Sequence, residues 1–402
     1  MTDIFIYDAV RSPRAKAKPD GKLAGFAPHA LSAALIRALE GRNGAEAVSG
    51  AGSLTLGCVG QIGAQGGHLA LVTRLHAGLP DRVRALTINN YCVSGLTAVG
   101  MAASEAAARG DDRLRVAGGV EMMSAVPFMG DKAHYYADPK TAAALRYVPV
   151  ALSADLMATM EGFTKADLDE VTARSHNRAA AAWEKGGLSE VIAISGEDGT
   201  VLIDRDEAVR GGMSAEKLAG FEPAFAEMGA AGFDAVMLKA RPELDAIHHV
   251  HSVANCPPVC DGAALAIVGT QAAGKAAGLK PKARIRAAVE ATGDPVLQLT
   301  AGFAAMEQLL KETGLNLSDF DRIEFMEAFA ATPVKFERDY KPDMDKVNPE
   351  GGHLAMGHPM GASGAILLAT MLGGLERSGG SLGLIVAHGG SGVGSAMVVE
   401  RV

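Results

Sequence analysis

The chain has 402 residues, 48% of them hydrophobic and 21% charged, which is soluble globular composition with ample material for a large core and two or three domains. Its formal charge of −8, from 46 acidic and 38 basic residues, and the lack of any Lys/Arg cluster argue against nucleic acid as a partner, while leaving room for a small cationic pocket. Four cysteines (Cys58, Cys92, Cys256, Cys260) are too few for a disulfide framework, no apolar run approaches the ~20 residues of a membrane span, and neither terminus reads as a targeting signal, so the expected location is the cytoplasm.

In chain order, IFIYDAV reads as a buried strand and HALSAALIRALEG as a helix closed by Gly41. SLTLGCVGQIG is a strand leading into a glycine-rich turn, and RALTIN is a short strand. A long helix then runs from Cys92 to about Arg109, followed by the strand LRVAGGVEMM. From about residue 122 to 250 the character changes to aromatic segments and charged helical stretches, and Thr164 with Asp167 has the spacing of a capping box. Such a stretch suits a lobe that covers substrate, and equally an ordinary extra domain. Within it, residues 125 to 160 give no clear pattern. RIEFMEAFAATP carries a strand that ends at Met326, Glu327, Ala328 and Phe329. The phrase from Ser94 to Gly118 then recurs from Ser363 to Gly389 in the same order of Ser-Gly, Ala-rich helix, Arg-containing turn and apolar strand. Two related α/β halves is the economical reading, with boundaries at 1–270 (carrying the stretch at about 122–250) and 275–402.

Four segments could carry chemistry: those around Cys92, His358 and His388, and RIEFMEAFAATP at residues 322–333. Cys92 lies at or near a helix N-terminus, where unpaired N–H groups and the helix dipole can lower a thiol pKa from ~8.5 to roughly 3.5–7.5. A buried structural cysteine is the commoner fate, but Gly95 and the strand–turn–helix context resemble a nucleophile elbow. His358 sits in Gly-His-Pro among Gly357, Gly361 and Gly364, where an imidazole has little packing rationale and suits a general base. His353 is less well framed and reads as a structural hydrogen-bonding residue. His388 is delivered by an apolar strand into a glycine-rich turn whose N–H groups suit an oxyanion hole. His248, His249 and His251 lack a matching carboxylate set, so no metal is expected. Cys256 and Cys260, in CPPVC, read as pocket-lining or core residues. No glycine run has the dinucleotide form.

These segments, in this order and over nearly the whole chain, resemble the thiolase family. RSPRAKAKPDGKLAG, GCVGQIGAQGGHLA, INNYCVSGLTAVG, AGGVEMMS, VCDGAALAIV, GHPMGASGA and GGSGVGSAMVVE carry the likeness, and the first two look closer to the degradative 3-ketoacyl-CoA branch. The resemblance implies an α/β fold of two βαβαβαββ halves stacked in five layers, α-β-α-β-α, with an inserted loop domain that binds coenzyme A. It implies a homodimer or homotetramer, with a β-oxidation multienzyme complex as a further partner, acyl-CoA and CoA as substrates, and no cofactor. It implies ping-pong chemistry: Cys92, activated by His358, attacks a 3-ketoacyl-CoA, acetyl-CoA leaves, and CoA takes the shortened acyl group. One oxyanion hole would use the N–H groups of Cys92 and Gly390, the other His358 and a water. Asn255, Met326 and Met157 match substrate- or CoA-contacting positions.

The resemblance also marks departures. The family's second catalytic cysteine falls at His388, which implies that His388 is the acid/base for the α-carbon proton. Met326 stands where an Asn commonly holds the oxyanion-hole water, and Met is a poor water ligand. SVANCPP replaces TAGNASG, with Asn255 retained and Pro257 in the place of Ser, and HHVHS just upstream marks an altered acyl pocket. Two competing readings are a related Cys-His-His acyltransferase for branched, aromatic or sterol-derived acyl-CoA, and a non-catalytic acyl-CoA-binding subunit. The intact Cys92 and His358 argue against the second.

Overall fold

The computed structural model describes residues 2–186 and 188–402. The first half runs β1 (Ile4–Arg11), α1 (Pro28–Asn43), β2 (Ser53–Gly57), α2 (Leu69–His76), β3 (Arg84–Ile88), α3 (Ser94–Arg109) and β4 (Arg115–Met122). Helices α4 (Val150–Glu161) and α5 (Lys165–Glu184) belong to the long segment that separates β4 from β5 (Cys260–Thr270). The second half follows as β6 (Ala283–Thr292), α6 (Ala301–Thr313), β7 (Arg322–Phe325), α7 (Ala331–Tyr340), α8 (Ser363–Ser378), β8 (Leu382–Gly389) and β9 (Val393–Arg401).

The two halves share one strand plan. The order is β1-β5-β4-β2-β3 in the first and β6-β9-β8-β7 in the second, and a short antiparallel pairing of β1 with β6 joins the two sheets. The counterpart of β3 is reduced to a single parallel bridge between Ile323 and Val347. Helices α3 and α8, which start at the repeated Ser-Gly of Ser94 and Ser363, pack on each other between the sheets. Helix α8 is buried without a break from Ser363 to Leu375, as an all-round apolar helix must be. Helices α1 and α2 cover the outer face of the first sheet and α6 that of the second, which makes five layers.

Two element boundaries differ from the sequence reading. Helix α1 runs past Gly41 to Asn43, because Arg42 and Asn43 both reach Asp8 on β1 and hold another turn before Gly44 (φ 85°) ends it. Helix α3 starts at Ser94, which leaves Cys92 in the turn before it. The capping box of Thr164 and Asp167 forms as read. The segment between β4 and β5 leaves after Met122 and returns at Cys260, at neighbouring strand ends where Met122 pairs with Asp261.

Glycines set how closely the halves meet. A Cβ on Gly95 would come within 2.9 Å of the Gly361 carbonyl and the Ala365 nitrogen, and one on Gly364 within 2.7 Å of Leu96. A Cβ on Gly119 of β4 would come within 2.3 Å of the Gly361 carbonyl. Backbone touches backbone at this crossing, so a methyl group has nowhere to go. Gly364→Ala is expected to lower stability by about 1–3 kcal/mol, read as a lowered Tm, and to slow any reaction that needs both halves. An unchanged Tm would show that the crossing is looser than described.

Candidate active site

Cys92 is held by a strained elbow. Strand β3 ends at Ile88, Tyr91 takes a left-handed conformation (φ 46°), and α3 begins at Ser94. The Ser94 hydroxyl accepts the Asn90 N–H at 2.8 Å and donates to the Tyr91 carbonyl at 2.5 Å, which closes the turn. Cys92 is part-buried and opens on a cavity of about 460 Å³. His358, Gly390, Cys256, Phe329 and Gln298 share that wall.

The thiol differs from its sequence expectation. Burial pushes Cys92 up to about 11, and the N–H groups of Gly390 and of Cys92 itself, beside the sulfur, oppose this without reversing it. His358 goes the other way: burial, with Arg14 nearby, lowers it to about 3. The resting pair is therefore a neutral thiol and a neutral imidazole. The Ser363 hydroxyl meets His358 Nδ1 at 2.9 Å, the Pro258 carbonyl accepts the His358 backbone N–H at 2.9 Å, and Arg14 holds the preceding Gly357 carbonyl at 2.9 Å. Ser363 thus orients the imidazole, and Arg14 and Pro258 from the first half hold the backbone that carries it.

Several positioning groups have no sequence signal of their own. The buried Glu121 carboxylate accepts the N–H groups of Val59, Gly60 and Gly361 and the Gln65 amide, tying β4 to the turn after His358. Glu327 accepts from Ser175, Asn348 and the Leu354 N–H, and so anchors the segment that leads to His358. Gln298 accepts the Ser391 N–H at 2.7 Å while its amide donates to Val148 and Ser153, which clamps the turn that presents Gly390. Buried polar residues of this kind are legible only once their partners are in place.

Other sequence expectations are corrected. Gly389 is extended (φ −134°), and a Cβ on it would lie 3.4 Å from the Cys92 nitrogen. His388, like Cys92 and His358, borders the cavity. It packs against Phe303 and Phe325, at 4.9 Å from each ring, and a Cβ on Gly302 would touch its Nδ1 at 2.3 Å. Neither ring nitrogen makes a well-formed hydrogen bond, and burial lowers its pKa to about 3, opposed by the nearby Leu299 backbone. His388 thus combines a place on the cavity lining with a ring that has no polar partner. Met157 and Met326 are buried in the central hydrophobic core and do not line the cavity. Asn255 is fully buried; its side chain is spent on Ser252, Asp169 and Thr172, so it offers nothing to a pantetheine arm. His353, read as hydrogen-bonded, has no partner on either nitrogen and lies edge-on to His358 at 5.2 Å. His249 and His251 both meet Asp155, at 2.8 and 2.7 Å, and His251 Nε2 accepts the Ala331 N–H, so HHVHS is a clamp on α4. Cys256 lines the cavity and Cys260 is core, the two fates the sequence allowed.

Residues 4–232 match the thiolase N-terminal domain and residues 279–401 the thiolase C-terminal domain. The chain belongs to the thiolase family. Among its relatives is a steroid 3-ketoacyl-CoA thiolase of Mycobacterium tuberculosis, 33% identical over all of this chain and 95% of that protein. A β-ketoadipyl-CoA thiolase of Pseudomonas putida is 34% identical over the full length of both. A solved acetyl-CoA acetyltransferase of Bacillus anthracis superposes with a TM-score of 0.83 at 28% identity, over 100% of this chain and 99% of that one. In this thiolase, no helix among the described residues is long and apolar enough to cross a membrane.

A thiol at about 11 ionises progressively as pH rises, and only the thiolate reacts with alkylating agents. Iodoacetamide labelling of Cys92 in the free protein, followed on its own peptide, should therefore speed up about tenfold per pH unit from about pH 6 to 10. A plateau reached below about pH 8 would reveal a preformed thiolate–imidazolium pair instead.

Proposed function

We propose that this thiolase cleaves 3-ketoacyl-CoA with CoA, giving acetyl-CoA and a shortened acyl-CoA, or runs the reverse condensation, through an acyl group on Cys92. The observation that carries this reading is the meeting of Cys92 from the first half and His358 from the second on one cavity wall, with the Gly390 N–H beside the sulfur. The relatives named as 3-ketoacyl-CoA thiolases favour the same substrate class.

One imidazole can balance every proton. Neutral His358 takes the Cys92 proton as the sulfur attacks the 3-keto carbon, and the carbon–carbon bond then breaks. The acetyl-CoA carbanion takes that proton at its α-carbon. In the second half, CoA gives its thiol proton to His358 as it attacks the acyl thioester, and the departing Cys92 sulfur takes it back. The N–H groups of Gly390 and Cys92 receive the oxyanion of each tetrahedral intermediate, where one such donor contributes about 10²–10³ in rate. His388 forms part of the packing beneath this turn. The open edge of β3, with Leu86 exposed beside it, supports a homodimer or homotetramer. The four unpaired cysteines favour a reducing compartment such as the cytoplasm.

Thiolysis of 3-ketohexanoyl-CoA checks these roles. Cys92→Ser and His358→Ala should each lower kcat by about 10²–10⁴-fold. His388→Leu removes an unpartnered buried imidazole and should keep activity within about threefold. A loss in His388→Leu as deep as in His358→Ala would return the proton transfer to His388. Tight CoA binding with no turnover of any 3-ketoacyl-CoA would instead indicate a binding subunit.

A further inference from the structure

The cavity around Cys92 has a chemical bias. Among its described lining residues there is no Lys or Arg, and the one carboxylate is Asp131. The lining also carries the aromatic and thioether side chains of Phe128, Met129, Tyr136, Tyr147 and Phe225. The rings are already packed, with Tyr147 edge-on to Tyr135 at 5.2 Å and to Phe233 at 6.4 Å. Asp131 accepts a hydrogen bond from the Tyr136 hydroxyl, which holds the carboxylate on this wall. Its charge reaches the elbow: the Tyr91 phenol is raised mainly by burial, with Tyr135, Asp131 and Cys92 adding to the shift.

Building on the acyl-transfer reading above, we propose that the acyl group this thiolase accepts is uncharged and apolar, and that Asp131 rejects chains ending in a carboxylate. A carboxylate tail entering this cavity would leave water, find no cationic side chain to pair with, and face a like charge. An alkyl or aryl tail would lose only contact with water and gain packing against rings and thioethers. The relatives named β-ketoadipyl-CoA thiolases carry in that name an acyl group with a terminal carboxylate. At about one-third identity they share the fold with this chain, and the wall described here is the feature that would separate the substrates.

The test is a matched pair, 3-ketooctanoyl-CoA and 3-ketoadipyl-CoA, measured for kcat/KM in thiolysis and, on the Cys92→Ala variant, for binding by calorimetry. The octanoyl substrate should be favoured by at least about tenfold in both measurements, as expected for an unpaired like-charge contact in a partly buried site. Asp131→Asn should narrow the ratio about three- to tenfold, chiefly by improving the ketoadipyl substrate. Equal or reversed preference, or a ratio that Asp131→Asn leaves unmoved, would overturn the inference. If neither substrate turns over, the acyl-transfer reading fails, and the calorimetric ratio still decides whether the wall selects against charge. A folded but aggregated Asp131→Asn preparation is replaced by Asp131→Ser, which removes the same charge.

Discussion

Everything at the site depends on how closely the starts of α3 and α8 approach each other. Gly95 sits against Gly361 and Ala365, Gly364 against Leu96, and Gly119 against the Gly361 carbonyl. With side chains at these positions the helices would stand apart by a methyl group or more, and Cys92 and His358 would separate with them. Cys92 lies two residues before one helix and His358 five residues before the other. Each half thus contributes the turn ahead of its central helix: the strained turn at residues 89–93 carries the sulfur, and the glycine-rich turn before Ser363 carries the imidazole.

Close approach alone would leave the turns loose, and buried acceptors hold them. Glu121 gathers N–H groups from the 58–60 turn and from Gly361, so a single carboxylate links the two halves. Glu327 and Gln298 act similarly on the segments leading to His358 and Gly390. Burial raises Glu121 and Glu327, and the donors around each oppose that rise. These acceptors replace water with fixed N–H groups, the usual way a protein orders backbone next to a reacting atom. The same burial pushes the Cys92 thiol up and the His358 imidazole down, which favours the neutral form of each.

The sequence makes the frame and the central pair readable, because both rest on short-range patterns. The repeated Ser-Gly at the start of an Ala-rich helix maps onto α3 and α8, the strand–turn–helix pattern marks Cys92, and the glycine cluster around His358 leaves few bland explanations. What it hides depends on which way a side chain points. His388 borders the cavity as its strand and glycine turn suggest, but its packing against Phe303 and Phe325 comes from segments far away along the chain. Met326 and Met157 align with contact positions yet point into the core, while Asn255 is consumed by its own turn. Gln298 and Glu121 look ordinary in sequence because their partners lie far away along the chain. The wall bearing Phe128, Tyr136 and Tyr147 comes from a stretch with no periodicity, and only the fold brings those rings together.

The claim on which the rest turns is that Cys92 carries the acyl group. Rapid acid quench of the protein with 3-ketooctanoyl-CoA in the absence of free CoA, followed by peptide mass spectrometry, tests it most directly. A hexanoyl adduct is expected on the peptide containing Cys92 and to vanish when CoA is added before the quench. An adduct on Cys256, or acetyl-CoA release with no adduct on any cysteine, would contradict it.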